Sequence, residues 1–145
     1  MPQIKVQDET IINDSIENVW KVLTYFSRYQ YWWPKVVNLR VLKLTDDLIG
    51  TEFQASPLGG KSFFCRVISF IPNKEIRLEY FAGIYRGKGV WKLEEKKNSI
   101  TVSYSVDLEI VDKSIALLSR IIPIPRLHSM IFKRILFGLS QQVKS

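Results

Sequence analysis

Residues 126 to 145 constrain the fold more than any other part of the sequence. At 3.6 residues per turn, their large apolar side chains fall on one side of a helix and most of their basic side chains on the other. The apolar side consists of Ile131, Phe132, Ile135, Leu136, Leu139 and Val143, and the basic side of Arg126, Lys133 and Lys144. No proline lies between Arg126 and Val143, so this segment is predicted to form one amphipathic helix.

The composition is typical of one globular domain covering residues 1–145. Hydrophobic residues make up 46% of the chain, which argues against disorder. Cys65 is the only cysteine, so no internal disulfide can form, and one His with one Cys cannot build a structural zinc site. The N-terminus carries acids and no apolar run that would indicate a signal peptide. We therefore expect a cytoplasmic protein, and the sequence indicates neither a metal nor a cofactor.

Alternation of apolar and polar residues predicts seven strands and two short helices before the final helix. The strands are expected at residues 3–12, 37–44, 50–56, 61–71, 75–82, 89–94 and 100–109, and the short helices at 16–23 and 27–33. Hairpin spacing between the strands predicts one antiparallel sheet with one buried face. Residues 113–122 have a helical pattern, and Pro123 and Pro125 predict a kink or a short extended break before the last helix. The fold class is therefore α+β.

Several motifs resemble those of a known superfamily. They are the opening Ile11-Ile12-Asn13-Asp14-Ser15-Ile16-Glu17-Asn18-Val19-Trp20, the stretch from Tyr29 to Pro34 with Arg40-Val41-Leu42, Arg86-Gly87-Lys88-Gly89-Val90-Trp91-Lys92-Leu93, and Ser99-Ile100-Thr101-Val102-Ser103-Tyr104. Together with the element order, they resemble the START-like or SRPBCC superfamily, and within it polyketide cyclase/dehydrase and coenzyme Q-binding-like proteins. The resemblance implies a helix-grip fold, in which the sheet wraps around the last helix. It also implies a hydrophobic cavity for a lipid, quinone, sterol or polyketide-like ligand.

The alternating faces predict which side chains line such a cavity. The expected wall consists of Phe53, Phe63, Val67, Leu78, Tyr80, Trp91 and Tyr104 from the strands, and Leu117, Ile121, His128, Ile131, Phe132 and Ile135 from the helical segments. A second cluster of aromatic residues, from Tyr25 to Trp33, belongs either to the core or to the mouth of a pocket.

Two of the predicted wall residues could also take part in chemistry. His128 falls on the side of the final helix that is expected to face the sheet, where a neutral imidazole can act as an acid, a base or a hydrogen-bond donor. Tyr104 lies on the apolar face of its strand, and a buried phenol needs a hydrogen-bond partner. Asp107 and Glu109 are expected to face outward, so no inward carboxylate pairs with His128. The residues thus favour a binding protein, with a polyketide cyclase or dehydratase as the alternative.

The basic residues are unevenly distributed along the chain. Six of the 21 Lys and Arg residues, and none of the 14 Asp and Glu residues, lie from Lys113 onward. The outer side of the last helix is expected to contain Arg126, Met130, Lys133, Phe137 and Lys144. This side is either an ordinary solvated face or a peripheral contact with an anionic membrane, which would make the protein a membrane- or partner-binding accessory module. Nucleic acid binding is disfavoured because few aromatic residues accompany the bases. The sequence does not specify the oligomeric state.

Overall fold

The computed structural model describes residues 2–145, which form a seven-stranded sheet and four α-helices. The strands are β1 (Gln3–Ile12), β2 (Arg40–Lys43), β3 (Glu52–Ala55), β4 (Phe63–Ile71), β5 (Glu75–Gly83), β6 (Tyr85–Glu95) and β7 (Ile100–Ile110). The helices are α1 (Ile16–Thr24), α2 (Tyr29–Trp32), α3 (Lys113–Leu118) and α4 (Ile124–Lys144). Short 3₁₀ turns cover Phe26–Arg28, Lys35–Val37 and Pro57–Gly59. This architecture confirms the predicted α+β helix-grip fold.

The sheet is antiparallel throughout, with the strand order β1-β7-β6-β5-β4-β3-β2. The first strand pairs with the last over its whole length, from Gln3 opposite Glu109 to Ile12 opposite Ile100. All other neighbours in the sheet are consecutive in the chain and joined by short connections. Alternate residues of β7 are buried, which places its apolar side chains toward α4. One face of the sheet therefore belongs to the core.

The helix α4 packs against the sheet through the apolar side that its sequence predicts. Its buried side chains are Ile124, Phe132, Ile135, Leu136, Leu139 and Val143. It contacts β1, α1 and α2. At Gly138 the absence of a side chain allows a close approach, since a Cβ atom there would collide with the backbone oxygen of Trp32. This glycine therefore permits α2 to lie directly against α4.

One local prediction was wrong, and the structure decides between the two alternatives of another. The strand predicted at residues 37–44 is shorter, because Lys35–Val37 forms a 3₁₀ turn and Asn38 has a left-handed backbone with φ of 51°. At the two prolines, where a kink or a short break was predicted, the structure has a break between two separate helices. The helix α3 ends at Leu118, and α4 begins at Ile124 with Pro125 in its first turn, where the missing N–H of proline removes no helical hydrogen bond.

Candidate functional site

A cavity of about 300 Å³ lies between the inner face of the sheet and α4. Its wall is contributed by β3 to β7, by α3 and α4, and by the aromatic segment around α2. The lining is almost entirely aliphatic and aromatic. This volume falls at the lower end of the range of small-molecule pockets, and predominantly apolar walls are usual for them.

The structure brings most of the predicted wall residues together around this cavity. Those in the wall are Phe53, Phe63, Leu78, Tyr80, Trp91, Tyr104, His128, Ile131, Phe132 and Ile135. They come from five strands and one helix, so only the closed fold places them side by side.

Three of the predicted wall residues lie elsewhere. Val67 is buried in the core but does not reach the cavity. Leu117 and Ile121 are 61% and 82% exposed, since α3 ends at Leu118 with another face toward the cavity and Ile121 lies in the turn after it. The face that α3 turns toward the cavity carries Ile115 and Leu118 instead.

Other parts of the wall were not predicted from the sequence. In the aromatic segment, Phe26, Tyr29 and Trp33 line the cavity, whereas Tyr25 and Tyr31 are exposed. The high density of aromatic residues in this segment indicated a buried cluster. It did not show whether the rings belong to the core or to the wall of a pocket. Another part of the wall is the turn from Pro57 to Lys61, whose Pro and Gly residues indicate a turn but not its position beside a cavity.

The ring of Phe132 is the centre of an aromatic cluster that fixes the wall on the α4 side. It stacks on Tyr104 with ring centroids 4.3 Å apart and planes 3° apart, and on His128 at 5.6 Å and 12°. The indoles of Trp91 and Trp33 approach the same ring at 5.6 Å and 6.3 Å. Because Phe132 contacts β6, β7 and the α2 segment, it couples α4 to both sides of the cavity.

The two tyrosines form the main polar feature of the wall. The hydroxyl oxygens of Tyr80 and Tyr104 are 2.5 Å apart, so one donates a hydrogen bond to the other. Burial raises the pKa of both phenols, and they are neutral at pH 7. Gly89 makes room for this pair, since a Cβ atom there would collide with the Tyr104 hydroxyl. One hydroxyl hydrogen of the pair remains available to a further acceptor.

His128 is a neutral imidazole in the wall. Burial lowers its pKa to about 4, so it carries no charge at pH 7. Its Nδ1 atom and the Nε1 atom of Trp33 are buried without a hydrogen-bond partner among residues 2–145. No Asp or Glu of the described chain lines the cavity, and Asp107 and Glu109 face outward as expected. Nor do His, Cys, Asp and Glu side chains form a group of three suited to a metal ion within that part of the chain.

The cavity opens between the Pro57–Gly59 turn and α3. Leu58, Gly60, Lys61 and Leu118 all line the cavity and are also exposed, which identifies the mouth. Lys61 bridges this opening, with its Nζ atom 2.9 Å from Asp112 Oδ2 and 3.0 Å from Ser114 Oγ. Hydrogen bonds from Ser114 and Lys61 lower the pKa of Asp112, whose carboxylate also caps the start of α3.

The outer face of α4 points away from the cavity. The residues that the sequence suggests for a membrane contact, Arg126, Met130, Lys133, Phe137 and Lys144, are all exposed. None of the helices between Pro2 and Ser145 is both long enough and apolar enough to cross a membrane.

Comparison with solved structures shows the fold in other proteins. The protein TTHA0849 from Thermus thermophilus is similar with a TM-score of 0.79 and 16% identity, covering 98% of this chain and 97% of that chain. A START superfamily protein from Mycobacterium smegmatis has a TM-score of 0.72 and 13% identity, with 97% of each chain covered. The di-domain ARO/CYC StfQ from the steffimycin biosynthetic pathway has a TM-score of 0.75 and 12% identity, covering 98% of this chain and 51% of that chain.

Comparison with protein families gives a match over most of the sequence. The family described as polyketide cyclase / dehydrase and lipid transport matches residues 12–131. Curated proteins give no match. The resemblance to polyketide cyclase/dehydrase proteins drawn from the sequence motifs is confirmed by the family match, and the START superfamily protein shares the fold. Since the matched region covers well over half of the 145 residues, the chain belongs to the polyketide cyclase / dehydrase and lipid transport family.

Proposed function

We propose that this protein binds one uncharged, mainly apolar small molecule in the cavity between the sheet and α4. The observation that carries the proposal is a cavity of about 300 Å³ with an aliphatic and aromatic wall and an open mouth. Transfer of apolar ligand surface from water into such a site is favourable by roughly 25 cal/mol per Å² before the costs of association. The family description, which includes lipid transport, supports the same kind of ligand.

The charges around the cavity favour a neutral ligand over an ionised one. Lys61 is the one charged residue in the wall among residues 2–145, and its ammonium already bonds Asp112 and Ser114 at the mouth. A ligand anion placed deeper in the cavity would lose its hydration without gaining a counter-ion. Such burial of an unpaired charge is strongly unfavourable.

The polar groups in the wall suit a ligand with one or two oxygen atoms. The Tyr80–Tyr104 pair has one hydroxyl hydrogen to donate, and the neutral imidazole of His128 stacks on Phe132, as Tyr104 also does. A carbonyl oxygen of a quinone or a polyketide-like molecule, or a lipid hydroxyl, can accept from that donor. These three ligand classes are therefore the ones that the wall favours.

Binding is favoured over acid–base catalysis by the surroundings of His128. A histidine that acts as a general base is normally oriented by a hydrogen bond that its second ring nitrogen donates to a third group. Within the described chain the Nδ1 atom of His128 has no such partner. The imidazole pKa of about 4 also lies well below the neutral range that suits a general base.

Two related dyes test the proposal. N-phenyl-1-naphthylamine is uncharged, and 1-anilinonaphthalene-8-sulfonate has nearly the same ring system with an added sulfonate. We expect saturable fluorescence enhancement by one molecule of the uncharged dye per chain and at least tenfold weaker binding of the anion. Replacing Ala55, which is buried in the wall on β3, with phenylalanine should fill the cavity and weaken binding of the uncharged dye at least tenfold.

The matched control places the same ring on the opposite face of the sheet. Ile68 is exposed on β4 and does not line the cavity, so Ile68→Phe should leave dye binding within about twofold. Circular dichroism must show that both variants fold. Equal binding of the two dyes, or equal binding by the Ala55→Phe and Ile68→Phe variants, would contradict the proposal.

A further inference from the structure

The corner between α3 and α4 exposes an unusual number of aliphatic side chains. Leu117 and Ile121 are 61% and 82% exposed, and Leu118 and Ile122 are 40% and 38% exposed. All four lie within six consecutive residues at the point where the chain turns from one helix to the next. Single exposed apolar residues are common, but a contiguous group of them usually marks an interaction site.

This apolar corner lies on the rim of the cavity mouth. Leu118 belongs both to the corner and to the cavity wall. On the other side of the mouth, Leu58 also lines the cavity and is 62% exposed. Its backbone is left-handed, with φ of 58°, a conformation that is strained for a leucine. Both sides of the opening therefore present aliphatic side chains to the surroundings.

Basic residues accompany these aliphatic side chains. Lys113, Arg120 and Arg126 are exposed on α3, at the corner and on the first turns of α4. No acidic residue occurs after Asp112, and that carboxylate is paired with Lys61. Within residues 2–145 these three bases form no ion pair. Exposed aliphatic side chains together with such bases complement an anionic lipid bilayer, whose surface is charged and whose interior is apolar.

We propose that the α3–α4 corner docks onto an anionic bilayer, with Leu117 and Ile121 inserted and the cavity mouth facing the lipid. This inference extends the proposed function, because docking would place the entrance of the cavity where apolar molecules are dissolved. The docking itself depends on surface residues that do not line the cavity. The two proposals can therefore fail separately.

The corner is a different surface from the outer face of α4. That face has Met130 and Phe137 among its bases, but these residues do not line the cavity. The corner has four exposed aliphatic side chains, and one of them reaches the wall. Two double variants, one on each surface, therefore distinguish which of them meets the bilayer.

The experiment is co-sedimentation with vesicles of phosphatidylcholine and phosphatidylserine, compared with phosphatidylcholine alone. We expect binding to the anionic vesicles that weakens as salt is added. Leu117→Ser combined with Ile121→Ser should reduce this binding at least tenfold, since two aliphatic side chains no longer enter the apolar layer. Met130→Ser combined with Phe137→Ser should change it by no more than about twofold.

Binding of the uncharged dye, measured on the same samples, separates the two proposals. The corner variant should keep its dye binding, because Leu117 and Ile121 lie outside the cavity wall. Lack of binding to anionic vesicles, or a loss confined to the Met130/Phe137 variant, would overturn the docking proposal. If instead the corner substitutions abolished self-association seen by analytical ultracentrifugation, and vesicle binding was absent, the corner would be an interface between two copies of the chain. That result would also overturn the proposal.

Discussion

Replacing Phe132 with alanine is expected to lower the free energy of unfolding by about 3 to 5 kcal/mol. The ring is 6% exposed and stacks on Tyr104 and His128, with Trp33 and Trp91 packed beside it. Its removal would leave an enlarged void beside the cavity, which the surrounding side chains cannot fill completely. Because the ring joins α4 to the sheet, we expect the loss to appear in urea denaturation followed by circular dichroism.

Phe137→Ala provides a matched control on the same helix. The Phe137 side chain is 65% exposed on the outer face of α4, so its loss should change the stability by no more than about 0.5 kcal/mol. Both substitutions remove the same ring and introduce the same good helix former. Similar losses for the two variants would show that α4 is not held through the Phe132 cluster.

Between pH 4.5 and 6.5, the free energy of unfolding is expected to rise with pH because of His128. Its pKa is about 4 in the folded protein and about 6.5 when unfolded, so the unfolded chain binds a proton that the native protein does not. The contribution of the neutral His128 to the free energy of unfolding is therefore fully present above pH 6.5 and is lost as the pH falls toward 4. The difference between the two pKa values corresponds to a total change of about 3 kcal/mol in the free energy of unfolding. Urea denaturation at a series of pH values measures it.

The variant His128→Leu identifies the source of this dependence. His128 is the one histidine of the sequence, so no other imidazole titrates in this range. The carboxylates with a lowered pKa, Asp14 and Asp112, lose their stabilising effect only below about pH 4. We expect the leucine variant to have a nearly flat profile between pH 4.5 and 6.5. A slope as steep as that of the original protein would rule out the buried, neutral imidazole.

Where one periodicity dominates, the sequence predicted the structure well. In β7 the alternation of Ile100, Val102 and Tyr104 with polar residues leaves one choice of buried face, and the structure has that face. The apolar side of α4 is similarly unambiguous. In α3 and the turn after it, large apolar residues form two neighbouring stripes on a helical wheel, one at positions 115, 118 and 122 and the other at 117 and 121. Periodicity alone could not choose between them, and the face with Leu117 and Ile121 was the wrong one.

The cavity was harder to predict than the walls that surround it. The sequence pattern places Phe53, Leu78 and Ile135 on the inner side of the fold. This pattern is the same whether the space between the sheet and the helix is filled by side chains or empty. The void depends on how far the sheet curves away from α4, which is a property of the whole fold. The Pro57–Gly59 turn reaches the mouth through contacts with the distant Lys35–Val37 turn. No local pattern in the sequence records such contacts.

A titration with the uncharged dye, followed by NMR of isoleucine and leucine methyl groups, tests the central claim most directly. If the cavity binds the dye, shifts should concentrate at the methyl groups of the wall, such as those of Ile76, Leu78 and Ile135. The methyl groups of Ile11 and Ile68, which are exposed and outside the wall, should remain unchanged. Shifts confined to exposed methyl groups while the wall methyls stay in place would show that the dye binds elsewhere, and would contradict the account.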